Sequence, residues 1–273
     1  MNILVCVKQV PNTQQISIDP ETNTLIREGV DSILNTFDGY ALEAAARLRD
    51  TQPDIKIYTL CMGPPQAEAA LRECLAVAAD YAFLATDRAF GGSDTLATSY
   101  ILSSCIRQIE ANEGIKFDMV FCGKQAIDGD TAQVGPQIAE LLGMAQVTCG
   151  LTCEMDGDEL RVLVETDDGK AVMVSSLPCV VTFTKPNFDP RMISAKRRIA
   201  AKKAEIKRIT VDELPGIDRA RLGLNGSPTR VRRTFVPQLK KAGVLIKEGT
   251  GEDAARKLAR LLVDNDVISS VDN

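Results

Sequence analysis

Four short apolar runs punctuate the first half of the chain, and each gives way to a polar loop and then to helical spacing. Residues 2–7 (NILVCV), 55–60 (IKIYTL), 81–85 (YAFLA) and 118–122 (DMVFC) are nearly continuous in apolar side chains. Runs of this length and make-up predict strands buried on both faces. The first ends at Lys8 and Pro11. A polar stretch over 12–31 follows, with Asp19-Pro20 and Asn23 as turn signals, and predicts an excursion or a small hairpin. In NTFDGYALEAAARLRD, Asp38 is the expected N-cap, Leu42, Ala45, Ala46 and Leu48 form one face, and the helix stops before Pro53. Gly63-Pro64-Pro65 opens a second helix, with proline suited to the first turn. A third is expected from about Thr95 to Glu110, and a fourth from near Thr131 to Leu142-Gly143. Strand and helix alternating in this way predict an α/β fold, a doubly wound, mostly parallel sheet of Rossmann-like type.

The pattern changes after Gly143. Residues 145–183 read as strands broken at Asp156-Gly157 and Asp168-Gly169, both hairpin signals, and so form a β-rich extension. Residues 211–252 have little periodicity, and an amphipathic helix over 252–268 carries Glu252 and Asp253 at its start. The expected division is an α/β domain over 1–190 and, over 191–273, a basic segment with a C-terminal arm. That arm either wraps a partner or packs back on the domain.

Composition narrows the chemistry. The 273 residues include no His and no Trp. Without His there is no Ser-His-Asp or Cys-His centre and no His metal ligand in this chain. A net charge of −5 and few aromatics argue against nucleic acid as a partner. The eight cysteines never fall in C-x-x-C spacing, and most lie inside apolar runs, which reads as buried, reduced thiols and a cytoplasmic setting. The N-terminal apolar run is too short for a signal segment, and no stretch long enough to span a membrane follows. Binding, carboxylate or lysine chemistry, or chemistry carried by a cofactor, remains.

In a doubly wound sheet, ligands collect at the carboxyl ends of strands. The loops to watch are therefore 8–12, 61–65, 87–94 and 123–135. GKQAIDGDTAQVGPQ (123–137) is neither a P-loop nor G-x-G-x-x-G. It reads either as an ordinary Asp/Thr helix cap or as a phosphate site at a helix start, with Asp128 and Asp130 turned away from the anion. FGGSDTLATS (90–99) reads as a flexible turn with a cap at Ser93 or Asp94, or as a second polar helix start beside the same ligand, with Thr95 and Thr98 on its first turns.

CVKQVP, NTFDGYALEAA, CMGPP, CGKQAIDGDTAQVGPQ, SSLPCVVTF and NGSPT, in that order, resemble the β subunit of electron transfer flavoproteins over residues 1 to about 265. The GKQAIDGDTAQ and LPCVVT blocks are the most specific of these motifs. The resemblance implies a heterodimer with an α subunit that passes electrons to or from dehydrogenases, with the β subunit holding an adenine nucleotide. In the conventional branch that nucleotide is structural AMP; in the electron-bifurcating branch it is FAD, facing NAD(H). Carried over by position, the nucleotide site comprises Val7, Lys8 and Pro11; Asn35, Phe37 and Asp38; Cys61 and Gly63; and Gly123, Lys124, Gln125, Asp128, Asp130, Thr131 and Gln133. Gly129 joins them as the turn residue of the phosphate loop. Ser93, Asp94, Thr95 and Thr98 would form the second polar helix start that FAD needs and AMP does not, and FAD is the expected cofactor.

The segment 185–208 carries Lys185, Arg191, Lys196, Arg197, Arg198, Lys202, Lys203, Lys207 and Arg208 against Asp189 and Glu205, a local +7 in an acidic chain. A solvated face is the plain reading. The resemblance makes it the loop that docks on an acyl-CoA, enoyl-CoA or lactate dehydrogenase-type flavoenzyme. Where usual members carry Leu-Pro, this chain has Ala195-Lys196, which leaves the dehydrogenase open. NGSPT (225–229) is a plain loop or, by resemblance, an interdomain contact. The chain is thus expected to be an electron carrier, an NADH-oxidising component in the bifurcating case. A stand-alone adenine-nucleotide-binding protein is the alternative.

Overall fold

The computed structural model describes residues 1–12, 17–18, 25–26, 31–232, 243–247 and 249–269. They fall into two compact units, Met1–Thr234 and Phe235–Asn273. The first is built on a nine-stranded sheet. Its strands are β1 (Asn2–Val7), β6 (Lys56–Met62), β7 (Tyr81–Ala85), β8 (Met119–Gly123), β9 (Ala145–Asp156), β10 (Glu159–Thr166), β11 (Gly169–Ser176), β12 (Cys179–Phe183) and β13 (Lys207–Ile209), in the order β11-β10-β9-β12-β8-β1-β6-β7-β13. From β9 to β13 in that order the pairs are parallel; β10 and β11 extend the sheet antiparallel.

The period-2 alternation of β1 divides the core into two layers. Ile3, Val5 and Val7 face α1 (Thr36–Thr51) and α2 (Glu68–Val77), while Leu4 and Cys6 face α3 (Thr95–Glu113) and α4 (Val134–Leu142). α1 buries Ala41, Ala44, Ala45 and Ala46 beside Leu42 and Leu48, and these small side chains let its backbone approach the sheet. Helices on both faces of a parallel sheet make this the expected doubly wound α/β arrangement.

Two short antiparallel pairs lie between β1 and α1. β2 (Gln9–Pro11) pairs with β5 (Ser32–Leu34), and β3 (Ser17–Ile18) with β4 (Leu25–Ile26). Residues 13–16, 19–24 and 27–30 of the expected excursion lie outside the described residues. The hairpins form one residue off the expected turns, closing at Gly157-Asp158 and Asp167-Asp168. Among the described residues β11 is an edge strand of the sheet, and it leaves Val172, Met173 and Val174 about half exposed.

Residues just beyond 190 belong to the first unit. α5 (Ala195–Lys203) lies against α2, and β13 adds a parallel edge strand beside β7. Arg191 anchors this stretch through buried Glu43 at 2.8 Å and Asp50 at 2.7 Å. Arg197 donates to the carbonyls of Leu75 (3.2 Å) and Ala79 (2.8 Å) at the end of α2. The basic run is therefore not one solvated face, because Arg191 and Arg197 hold it down while Lys196, Arg198, Lys202 and Lys203 stay exposed. The short helix α6 (Gly223–Gly226) ends at NGSPT. In the second unit, α7 (Gly251–Asp264) is N-capped by Thr250, which forms a capping box with Asp253.

Candidate functional site

β1 and β8 run side by side in register as far as Cys6 and Cys122. The chain leaving β1 leads to α1 on one face of the sheet, and the chain leaving β8 leads to α4 on the other. That divergence opens a crevice at the carboxyl edge, and a cavity of about 310 Å³ occupies it. Its walls mix polar side chains with apolar surface: Val7 and Lys8 from the β1 exit; Asn35 and Asp38 from the first turn of α1; Ser93, Asp94, Thr95 and Thr98 from the start of α3; Gly123, Lys124, Gln125, Gly129, Thr131 and Gln133 from the β8 exit. Its floor holds Cys6, Met62, Leu102, Cys122 and Val134. The floor was not foreseen, although Leu102 repeats the Thr95–Thr98 face one turn on, and the two cysteines end the strands already identified.

Pro11, Phe37, Cys61, Gly63, Asp128 and Asp130 do not line this cavity. Pro11 pairs with Ser32 in the β2–β5 ladder. Phe37 packs edge-on to Tyr40. Cys61 is fully buried, which pushes its thiol up to about 12. The Gly63 N–H donates to the Ala85 carbonyl at 3.0 Å. Asp128 holds the Lys8 ammonium at 2.7 Å, and Asp130 accepts from Gln125 Nε2 at 2.7 Å. Both carboxylates thus turn to a protein partner.

Two local expectations need correction. The N-cap position of α1 belongs to Asn35, and Asp38 sits one turn in, where its carboxylate is buried among backbone donors. α4 begins at Val134 rather than near Thr131, because the loop before it passes through left-handed backbone at Asp130 and Ala132, both at φ 52°. Gly129 itself is not left-handed, and a Cβ there would meet nothing within 4 Å. The close approaches are elsewhere. A Cβ at Gly123 would run into Asp38 and Phe37, and one at Gly135 into the Thr182 side chain.

Two helix starts converge on the cavity and are tied together. Thr95 Oγ1 donates to Gln133 Oε1 at 2.8 Å, and Ser99 Oγ to Gln137 Oε1 at 3.0 Å. α3 is capped by Asp94, which accepts from Ala97 N at 3.0 Å and Thr229 N at 2.9 Å. Burial works against the Asp94 carboxylate, but these donors outweigh it and lower its pKa. The NGSPT loop thus docks on the 90–94 turn, where Ser227 Oγ accepts from Asp94 N at 2.8 Å. α4 differs in having no side-chain cap at its start. An uncapped helix start presents backbone N–H groups and a partial positive charge, and Lys8 and Lys124 stand on the same walls. The residues present fit a phosphate-bearing ligand with an apolar body against the floor.

Among the described residues no group of three or more His, Cys, Asp or Glu side chains could hold a metal ion, and no helix is long and apolar enough to cross a membrane. Fold and site define a doubly wound α/β protein with a crevice at the carboxyl edge of its sheet. Residues 22–214 match the electron transfer flavoprotein domain, and the chain belongs to that family. It is 47% identical over 248 residues to the electron transfer flavoprotein subunit beta of Megasphaera elsdenii, covering 90% of this chain and 92% of that protein. It is 44% identical over 268 residues to the caffeyl-CoA reductase-Etf complex subunit CarD of Acetobacterium woodii, covering 98% and 100%. It is 43% identical over 243 residues to protein FixA of Azorhizobium caulinodans, covering 88% and 86%.

Proposed function

We propose that the cavity at the β1 and β8 exits holds the adenine nucleotide of an electron transfer flavoprotein β subunit, and that this nucleotide is FAD. The observation that carries the reading is the meeting of two polar helix starts on one cavity. The uncapped start of α4 suits the diphosphate. Thr95 and Thr98 line the same space and offer hydroxyls beyond what a phosphate loop needs. When bound, FAD supplies the electron chemistry, with NAD(H) as the donor or acceptor. This chain's part is to bind, orient and exclude water: Lys124 and the α4 start balance the anion, and Cys6, Met62 and Leu102 face the apolar portion. No side chain here has to move a proton, which is consistent with a chain that lacks His. AMP is the second reading, because about 310 Å³ lies at the small end of ligand cavities and matches a mononucleotide.

The α subunit is the proposed partner in a heterodimer. The half-exposed apolar row on edge strand β11 supports a protein contact. The exposed basic residues of α5 are proposed to meet an acidic patch on a dehydrogenase. The CarD relative is named for a complex with caffeyl-CoA reductase, which favours an enoyl-CoA-type flavoenzyme over an acyl-CoA or lactate type. The test is nucleotide released on denaturing the purified heterodimer. Two FAD and no AMP are expected for the bifurcating type. One FAD and one AMP would place the chain in the conventional branch.

A further inference from the structure

The first turn of α1 is wired to both strand exits. Asn35 is 1% exposed and stands at the N-cap position, yet its side chain makes no cap bond. Its Nδ2 donates instead to Asp38 Oδ1 and to the Gln125 carbonyl, both at 2.9 Å, and its Oδ1 accepts from Ile127 N at 3.1 Å. Its backbone N–H donates to the Lys8 carbonyl at 2.9 Å. Asp38, 6% exposed, accepts from Lys8 N at 2.7 Å and Gly123 N at 3.2 Å. Two buried side chains therefore fix the loop after β8 at residues 123, 125 and 127, and one of them also fixes the exit of β1. The segment they hold has no regular structure of its own.

We propose that Asn35 and Asp38 are positioning residues that set the affinity of the nucleotide site by clasping the β1 and β8 exit loops together through their backbones. This rests on the reading of the cavity as a nucleotide site. Lys8 N, Gly123 N and Asn35 Nδ2 all donate to the Asp38 carboxylate, so the clasp needs the anion. Burial, the largest influence, pushes Asp38 up to about 7 against the pull of Asn35, Lys8 N and Gly123 N. The other ionisable groups facing it are Lys8 from the β1 exit, Cys61 from β6, Cys74 from α2 and Cys122 from β8. The Lys8 ammonium is engaged by Asp128. Burial raises the Cys61 and Cys74 thiols, and the bond with Cys6 together with burial raises Cys122, so all three stay neutral near pH 7. Asp38 is then the group on this clasp that changes charge there. Protonation places a hydrogen where a backbone N–H already points, and the clasp loosens.

The test titrates the full-length chain with FAD, read by flavin fluorescence, from about pH 8 to about pH 6, an interval in which the FAD diphosphate does not titrate. Wild-type affinity should fall with pH toward that of Asp38→Asn, whose amide sets a donor against Lys8 N. Asp38→Asn should bind about 10–100-fold more weakly at pH 8, the change expected for one or two lost bonds to a charged group, and show no pH slope. Asn35→Ala should weaken binding to a similar extent. Leu160→Ala, a core truncation in β10 away from the cavity, reports what destabilisation alone does and should leave affinity unchanged. If Asp38→Asn binds as the wild type does with the same pH slope, or Leu160→Ala loses as much affinity, the clasp is refuted while the nucleotide reading stands. A wild-type chain that takes up neither FAD nor AMP overturns the nucleotide reading, and the clasp with it.

Discussion

Gly123→Ala probes how closely α1 is seated on the β8 exit. An added Cβ would lie 2.7 Å from Phe37 Cβ and 2.8 Å from Asp38 N, and inside contact with Asp38 Oδ1. Carbon contacts settle near 3.5–4 Å, so the α1 turn must retreat by about 1 Å. That retreat stretches the 3.2 Å bond from Gly123 N to Asp38 past hydrogen-bonding range. Overpacking of this kind costs about 1–3 kcal/mol, and a lost bond to a carboxylate about 1.5–3 kcal/mol. The two overlap, because the shift that relieves the first causes the second, and about 3 kcal/mol is the expected sum. In a domain of this size each kcal/mol moves Tm by about 2–4 °C, so a drop of about 6–12 °C is expected in thermal unfolding followed by circular dichroism. Added FAD should also stabilise the variant less than the wild type, since ligand stabilisation scales with the logarithm of [L]/Kd. A Tm within about 2 °C of wild type, with the same FAD-induced gain, would refute the seating of α1 on Gly123.

Arg197→Ala should lower stability by about 2 kcal/mol, since its guanidinium serves two carbonyls at the end of α2. Lys196→Glu with Arg198→Glu should leave Tm in place and slow electron delivery to the partner flavoenzyme, most strongly at low salt; an unchanged rate there would remove α5 from the docking surface. Burial raises the folded pKa of Asp38 to about 7, well above the ordinary carboxylate value that the unfolded chain keeps. Its contribution to stability is therefore fully present below the unfolded value and lost as pH rises through about 7, and Asp38→Asn should lack this slope in denaturant unfolding. Thr95→Ala should cost about 0.5–1.5 kcal/mol through its bond to Gln133.

The opposite pH trends assigned to Asp38 say why a buried carboxylate sits there. Its charge burdens folding at neutral pH, while the loops it holds need an acceptor, a local conflict of the kind found at functional sites. The sequence could not show this. Asp38 reads as a helix cap, because the N-cap rule sees only the residue before a helix and not a donor 85 positions away at Gly123. The sheet was legible because NILVCV and DMVFC admit one reading, and the crevice followed from where those strands end. The start of α4 was misplaced because Asp130 and Ala132 adopt left-handed backbone without being glycine. Edge strand β13 was hidden because KRI is short and exposed on all but Ile209. Arg191 and Arg197 were read with their neighbours as one charge run, since their partners Glu43, Leu75 and Ala79 are distant in sequence.

The claim that the cavity is the nucleotide site is tested most directly by Gly129→Val. Gly129 lines the cavity, is not in left-handed backbone, and would place a Cβ within 4 Å of no protein atom. The branched side chain of valine projects from this open position toward what occupies the cavity. Nucleotide released on denaturing the purified heterodimer is measured beside Tm. The expected result is an unchanged fold with the β-subunit nucleotide lost. A Gly129→Val chain that keeps its full nucleotide complement would contradict the assignment of this cavity.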